Sequence, residues 1–191
     1  MTIRSNHYEA AIEAYLRQLQ MPYVAVDESR RSLAPGGSIK NVDFIVSPSG
    51  SELSWLVDVK GRQFPSGRKN RYWKNWATID DLQAMAQWEL LFGPQFRGLF
   101  VFAYCVNGSL APLPQNMLFP YKGEVYAFIG VRIDLYAAWA RKISPKWRTV
   151  AMPTTAFRQL AQPLKLFLET PVISGGDFDR RRATEMAPST Y

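Results

Sequence analysis

Apolar residues recur at helical spacing at the start of the chain. Tyr8, Ile12, Tyr15, Leu16 and Leu19 fall on one stripe, which predicts a helix over residues 7 to 20. Asn6 can cap it, Glu9 sits where a capping box would place its acid, and Pro22 ends it. Residues 23 to 26 suit a short strand, and residues 29 to 41 a basic loop containing Gly and Pro. Two strands follow, over residues 42 to 46 and 55 to 60, separated by turn residues that include Pro48 and Gly50. A long loop is expected over residues 61 to 77. Thr78 then caps a second helix reaching Phe92, with the stripe Ile79, Leu82, Ala86 and Leu90 and with Asp80 and Asp81 in its first turn. Residues 98 to 106 are almost continuously apolar, as in a strand buried on both faces. Strands over 117 to 121 and 124 to 129, a helix over 132 to 142, a strand over 149 to 152 and a helix over 155 to 168 interrupted near Pro163 complete the pattern. Gly, Ser, Pro and charge dominate after residue 171, which predicts a flexible tail over 172 to 191. The order predicts an α/β class: a single domain with a mixed sheet flanked by helices.

Two of the strands break their own pattern. Side chains alternate along a strand. In Trp55-Leu56-Val57-Asp58-Val59-Lys60, Asp58 and Lys60 therefore share one face, roughly 7 Å apart along the backbone. The preceding strand carries Asp43 at the start of an apolar run. Paired as a hairpin, the two strands bring Asp43 and Asp58 together. Two adjacent carboxylates repel, and a divalent cation resolves the repulsion.

Composition narrows the chemistry. The chain has 191 residues, a net charge of +7, one cysteine and one histidine. A lone Cys105 inside an apolar run reads as core, and with only His7 a Cys/His zinc site is excluded. No GxSxG motif occurs. A metal site must then be built from carboxylates, which suits Mg²⁺ or Mn²⁺. The positive balance favours a polyanionic partner. With no signal-peptide core and no apolar run long enough to span a bilayer, a cytoplasmic location and no membrane association are expected.

Asp43, the string Asp58-Val59-Lys60 and a preceding helix bearing a glutamate resemble the PD-(D/E)xK nuclease superfamily, the type of restriction endonucleases and archaeal Holliday junction resolvases. The resemblance covers residues 6 to 92. His7-Tyr8-Glu9 and the string from Val57 to Arg62 also resemble a bacterial group within it. It implies a restriction-endonuclease-like fold over residues 1 to 171 and metal-dependent hydrolysis of a nucleic-acid backbone, DNA above all, with Mg²⁺ or Mn²⁺. By the same resemblance Asp43 and Asp58 are metal ligands, and Lys60 positions the attacking water or offsets charge on the phosphate. A helix acid completes the site: Glu9, which flanks the apolar stripe more closely, or Glu13. Val42 stands where the motif has proline, and Asp58 where glutamate is more frequent. A symmetric double-strand cut would need a homodimer. The alternatives are a catalytically inactive nucleic-acid-binding module on the same fold, or a scaffold.

The segment after Lys60 reads RQFPSGRKNRYWKNW from residue 62 to 76. Arg62, Arg68, Lys69, Arg71 and Lys74 can neutralise phosphates, and Tyr72, Trp73 and Trp76, interleaved with them, can stack on bases. Arg30, Arg31, Lys40 and the run Arg180-Arg181-Arg182 are weaker candidates of the same kind. The basic turn Ser144-Pro145-Lys146-Trp147-Arg148 suggests no specific chemistry.

Overall fold

The structure, a computed structural model, describes residues 6–27, 32–34, 37–66, 73–107 and 114–169. The predicted tail and the residues Arg30, Arg31, Arg68, Lys69, Arg71 and Tyr72 lie outside them. Helix α1 (His7–Gln18) leads into β1 (Tyr23–Ala25), a small hairpin of β2 (Ser32–Ala34) and β3 (Gly37–Ile39), then β4 (Phe44–Val46) and β5 (Ser54–Phe64). Next come β6 (Ala77–Thr78), α2 (Ile79–Phe92) and β7 (Phe96–Val106). After a 3-10 turn, β8 (Phe119–Tyr121), β9 (Glu124–Arg132), α3 (Ile133–Trp139), β10 (Arg141–Ser144), β11 (Thr149–Ala151), α4 (Thr154–Leu160), β12 (Gln162–Pro163) and α5 (Leu164–Glu169) follow.

The main sheet runs in the order β1-β4-β5-β7-β9-β12, with β8 also on β9. Its neighbours are antiparallel except β5 and β7, which are parallel. Parallel neighbours need a crossover, and α2 supplies it. Helices cover both faces. On one face Ala11, Ile12 and Leu16 of α1 and Leu164, Phe167 and Leu168 of α5 pack with Phe44, Val57, Val59 and Val101. On the other, Met85 of α2, Ile133 and Tyr136 of α3 and Phe157 of α4 pack with Leu56, Phe100 and Phe102. Strand β7 lies between both layers and is buried from Gly98 to Val106, as its apolar run predicts.

Several expected boundaries move. β5 is eleven residues long and continues to Phe64, because β7 pairs with it along its whole length. Arg62 and Phe64 are thus strand residues and not loop residues. The helix expected over 132 to 142 stops at Trp139, and Arg141 and Lys142 become strand β10, paired with β11. The stripe expected on α2 is rotated: Asp81, Ala84 and Met85 are its buried positions, Ala86 is exposed and Leu90 is 84% exposed. A periodicity reading assigns leucine inward, whereas the helix turns an aspartate inward to meet partners distant in sequence.

Candidate functional site

The antiparallel register of β4 on β5 pairs Phe44 with Val57. Asp43 is the bend residue immediately before β4, outside that register. The Asp43 amide donates to Val57 O at 2.8 Å, and the Asp43 carboxylate accepts from the Val59 amide at 2.5 Å. Strand alternation puts Asp58 and Lys60 on the α2 side of the sheet, and both are buried. Lys60 Nζ lies 2.6 Å from Asp58 Oδ2 and 3.0 Å from Asp81 Oδ2. The structure thus pairs Asp58 directly with Lys60 and ties Asp43 to the same strand through the Val59 amide.

Asp81 is the member that sequence reasoning missed. Its position in the first turn of α2 read as a dipole-satisfying acid. It is also the third residue of a capping box: Asp81 Oδ2 accepts from the Thr78 amide at 2.9 Å, and the Asp81 amide donates to Thr78 Oγ1 at 3.1 Å. The cap fixes the side chain so that Oδ1 meets Lys40 Nζ at 2.7 Å while Oδ2 faces Lys60. The signal available in the sequence was Thr78-x-x-Asp81, a capping pattern, but nothing in it pointed to Lys60. Lys40 joins the group from the other side, and Trp88 Nε1 donates to its carbonyl at 2.8 Å. Its side chain is 45% exposed, whereas those of Asp58, Lys60 and Asp81 are almost fully enclosed.

The electrostatics follow from three carboxylates meeting two ammoniums. Burial raises the Asp58 pKa above the ordinary aspartate value, against the pull of Lys60 and Lys40, and Asp81 adds to the rise. Burial also acts to raise Asp81, but Lys60, the hydrogen bond and charge of Lys40, and the Thr78 amide outweigh it and hold that carboxyl well below the usual range. Burial opposes the charge on Lys40, yet Asp58, Asp81 and Asp43 keep its pKa above the ordinary lysine value. Asp81 thus carries the settled charge of the group and Asp58 the unsettled one.

The helix acids have partners within and beside α1. α1 packs on the face opposite Asp58 and Lys60, where Ala11, Ile12 and Leu16 meet Val57 and Val59. Glu9 is buried there and accepts from Asn6 Nδ2. Asn6 also caps α1 by accepting from the Tyr8 amide at 3.1 Å, so a side-chain pair replaces the expected reciprocal capping box. Glu13 accepts from Arg17 at 2.7 Å and from Tyr23 OH at 2.9 Å. Among the described residues no group of three or more His, Cys, Asp or Glu side chains is gathered to hold a metal ion. Neither glutamate therefore joins Asp43 and Asp58 in a ready-made three-ligand cage.

A divalent cation nonetheless fits the aspartate pair by its chemistry. Mg²⁺ is commonly held by one or two carboxylates together with substrate phosphate and water. The donors here are all oxygen, and Asp58 is a buried carboxylate that its two lysines do not fully stabilise. Added positive charge is what such a group lacks.

The basic segment that follows is less open than its composition implies. Phe64 is buried, and Trp73 stacks on it at 4.6 Å between ring centroids while meeting Tyr104 edge-on at 4.4 Å. These two aromatics pack the core and are not free for bases. Tyr104 OH donates to the Lys74 carbonyl at 3.0 Å. Trp76 is 39% exposed, with the Arg62 guanidinium 3.9 Å from its ring centroid. Arg62 donates to the carbonyls of Gly61 and Trp76, and its Nε is buried without a partner among the described residues.

No helix among the described residues is long and apolar enough to cross a membrane. No protein-family model matches the chain, and no curated protein matches it. Among solved structures, Hjc, a Holliday junction resolvase from the archaeal hyperthermophile Archaeoglobus fulgidus, is similar over 85% of this chain and 98% of that chain, at 9% identity and a TM-score of 0.49. The architecture itself is a mixed sheet flanked by helices in a mixed α/β domain.

Proposed function

We propose that the chain is a metal-dependent phosphodiesterase acting on nucleic acid, with its centre at Asp43, Asp58 and Lys60. The observation that carries this reading is the Asp58–Lys60 pair buried on one face of β5, with the Asp43 carboxylate tied to the same strand through the Val59 amide. Burying two carboxylates and an ammonium side by side is costly for a fold that needs only a core. Asp43 and Asp58 would hold Mg²⁺ or Mn²⁺, which supplies a polarised phosphate and a bound water of lowered pKa. Asp43 is held in place through the Val59 amide, so its carboxylate is oriented before any ligand arrives. Lys60 places a positive charge beside the centre, where charge develops on a phosphate in the transition state. Asp81 is a positioning residue: it offers Lys60 a second carboxylate and ties Lys40 to the same site. DNA is the substrate that the family resemblance implies.

Calorimetric titration with Mn²⁺ and a DNA cleavage assay test the reading together. Wild-type protein should bind Mn²⁺ and cut, and Asp58→Asn should do neither. Mn²⁺ binding that survives in both Asp58→Asn and Asp43→Asn would place the metal elsewhere and refute the assignment.

A further inference from the structure

Strand β10 and the turn that joins it to β11 are absorbed neither by the core nor by the candidate centre. Between Asp134 and Glu169 the chain has no acidic residue, and Arg141, Lys142, Lys146 and Arg148 all fall on this hairpin and its turn. All four are exposed. Trp147 at the tip is 69% exposed, and Ile143 and Trp139 beside it are also exposed. The turn is well defined: the Trp147 amide donates to Ser144 Oγ at 3.3 Å, the Arg148 amide to Pro145 O at 3.3 Å, and Arg148 takes a left-handed φ of 48°. The indole is therefore presented outward by a built turn, with Lys146 Nζ 5.3 Å from its ring centroid.

This tip is fastened to the element that holds the candidate centre. β11 pairs with β6, Thr149 against Thr78 and Val150 against Ala77. The Ile79 amide donates to the Arg148 carbonyl at 2.9 Å, and the Arg148 guanidinium lies 3.2 Å from Asp80. Thr78 is the cap of α2, and Asp81 in the same turn reaches Lys60. Hairpin and centre thus share one turn of helix.

We infer that the β10–β11 hairpin is a nucleic-acid-binding surface that seats a strand with unpaired bases beside the centre, Trp147 stacking on a base and Arg141, Lys142 and Lys146 neutralising phosphates. Charge complementarity selects a polyanion, and an exposed aromatic among cations suits a single strand, whose bases are free to stack. An apolar protein partner would leave the cations without counter-charge. The choice of nucleic acid over an anionic lipid surface rests on the phosphodiesterase reading of the adjacent centre.

The test measures binding of the whole chain, in chelator so that nothing is cut, to an oligothymidylate, to its duplex with oligoadenylate, and to phosphatidylcholine vesicles containing phosphatidylserine. The oligothymidylate should bind, and Trp147→Ala should weaken it by roughly 5- to 100-fold while Trp147→Phe retains most of the affinity. Duplex binding should change far less. Lys142→Ala combined with Lys146→Ala should lower the slope of log affinity against log salt by about 1.4, since each single-strand phosphate contact contributes about 0.7. Circular dichroism unchanged from wild type would show that the exposed substitutions leave the fold intact. Equal single-strand affinity in wild type and Trp147→Ala overturns the inference, as does Trp147-dependent binding to vesicles without binding to the oligonucleotide. Hairpin-dependent binding by a protein that cuts nothing with Mn²⁺ would overturn the phosphodiesterase reading and leave this inference standing; cutting that is indifferent to the hairpin variants would do the reverse.

Discussion

Strand β5 has two faces with opposite economies of interaction. Trp55, Val57 and Val59 point toward α1 and α5 and pack in an apolar and aromatic cluster, where Trp55 Nε1 is satisfied by the Phe167 carbonyl at 2.9 Å. Gly61 continues that face, and the Tyr8 ring lies where a side chain at position 61 would be. Across the sheet, Asp58 and Lys60 point toward α2 and meet Asp81. Both faces are equally enclosed, yet the first is filled by dispersion and hydrophobic burial, whereas the second adds a charged cluster to the apolar contacts of Leu56 and Phe64. Apolar burial stabilises a fold directly. A buried ion cluster roughly breaks even at best, because desolvation consumes what Coulomb attraction returns. The difference teaches that the apolar contacts of both faces keep the sheet together, whereas the charged cluster is retained for something it does.

Substitutions on the two faces should therefore separate stability from activity. The largest stability loss is expected at Trp55→Ala, about 3–5 kcal/mol by denaturant unfolding, from the cavity and the orphaned Phe167 carbonyl. Gly61→Ala should follow at about 1–3 kcal/mol, because its methyl must displace Tyr8 and with it the start of α1. Asp81→Ala should cost about 1–2 kcal/mol from the lost capping box, and it should also slow cleavage, which a helix cap alone would not do. Asp58→Asn should show the smallest stability change, and its sign should depend on pH. In metal-free protein the folded state holds the Asp58 proton more tightly than the unfolded chain does, so that carboxyl removes stability as pH rises above the ordinary aspartate value. Relative to wild type, Asp58→Asn should gain stability from about pH 4 toward neutrality. Asp81 has the opposite sign: its depressed pKa contributes stability above the ordinary value and loses it as pH falls through the depressed one. The deficit of Asp81→Asn should therefore close in acid. Thermal melts across that range in chelator decide both, and parallel curves for the two variants would erase the distinction drawn between the acids.

What the chain disclosed in advance was local. Alternation along residues 55 to 60 was enough to place Asp58 and Lys60 on one face, and the turn at Pro48 and Gly50 was enough to pair β4 with β5. The long apolar run of β7 announced a central strand. The misses needed knowledge of partners far away in sequence. β5 runs past Lys60 only because β7 continues beside it, and this turns Phe64 and Trp73 from loop aromatics into core. Asp81 turns inward only because Lys40 and Lys60 wait there. Leu90 points outward although leucine favours burial, because α2 is rotated by what its first turn must reach. The basic turn that carried no readable chemistry became informative once β11 was seen to pair with β6 at the head of α2.

The central claim is that the charged face of β5 cuts phosphodiester bonds. The direct measurement is cleavage of linear, branched and single-stranded DNA with Mn²⁺ by wild type and by Lys60→Ala, purified side by side. The account predicts cleavage by wild type that chelator abolishes, with Lys60→Ala slower by at least about 100-fold, the scale on which a positioned charge acts in a transition state. Equal cleavage by the two proteins, or none by wild type on any of these substrates, would contradict it.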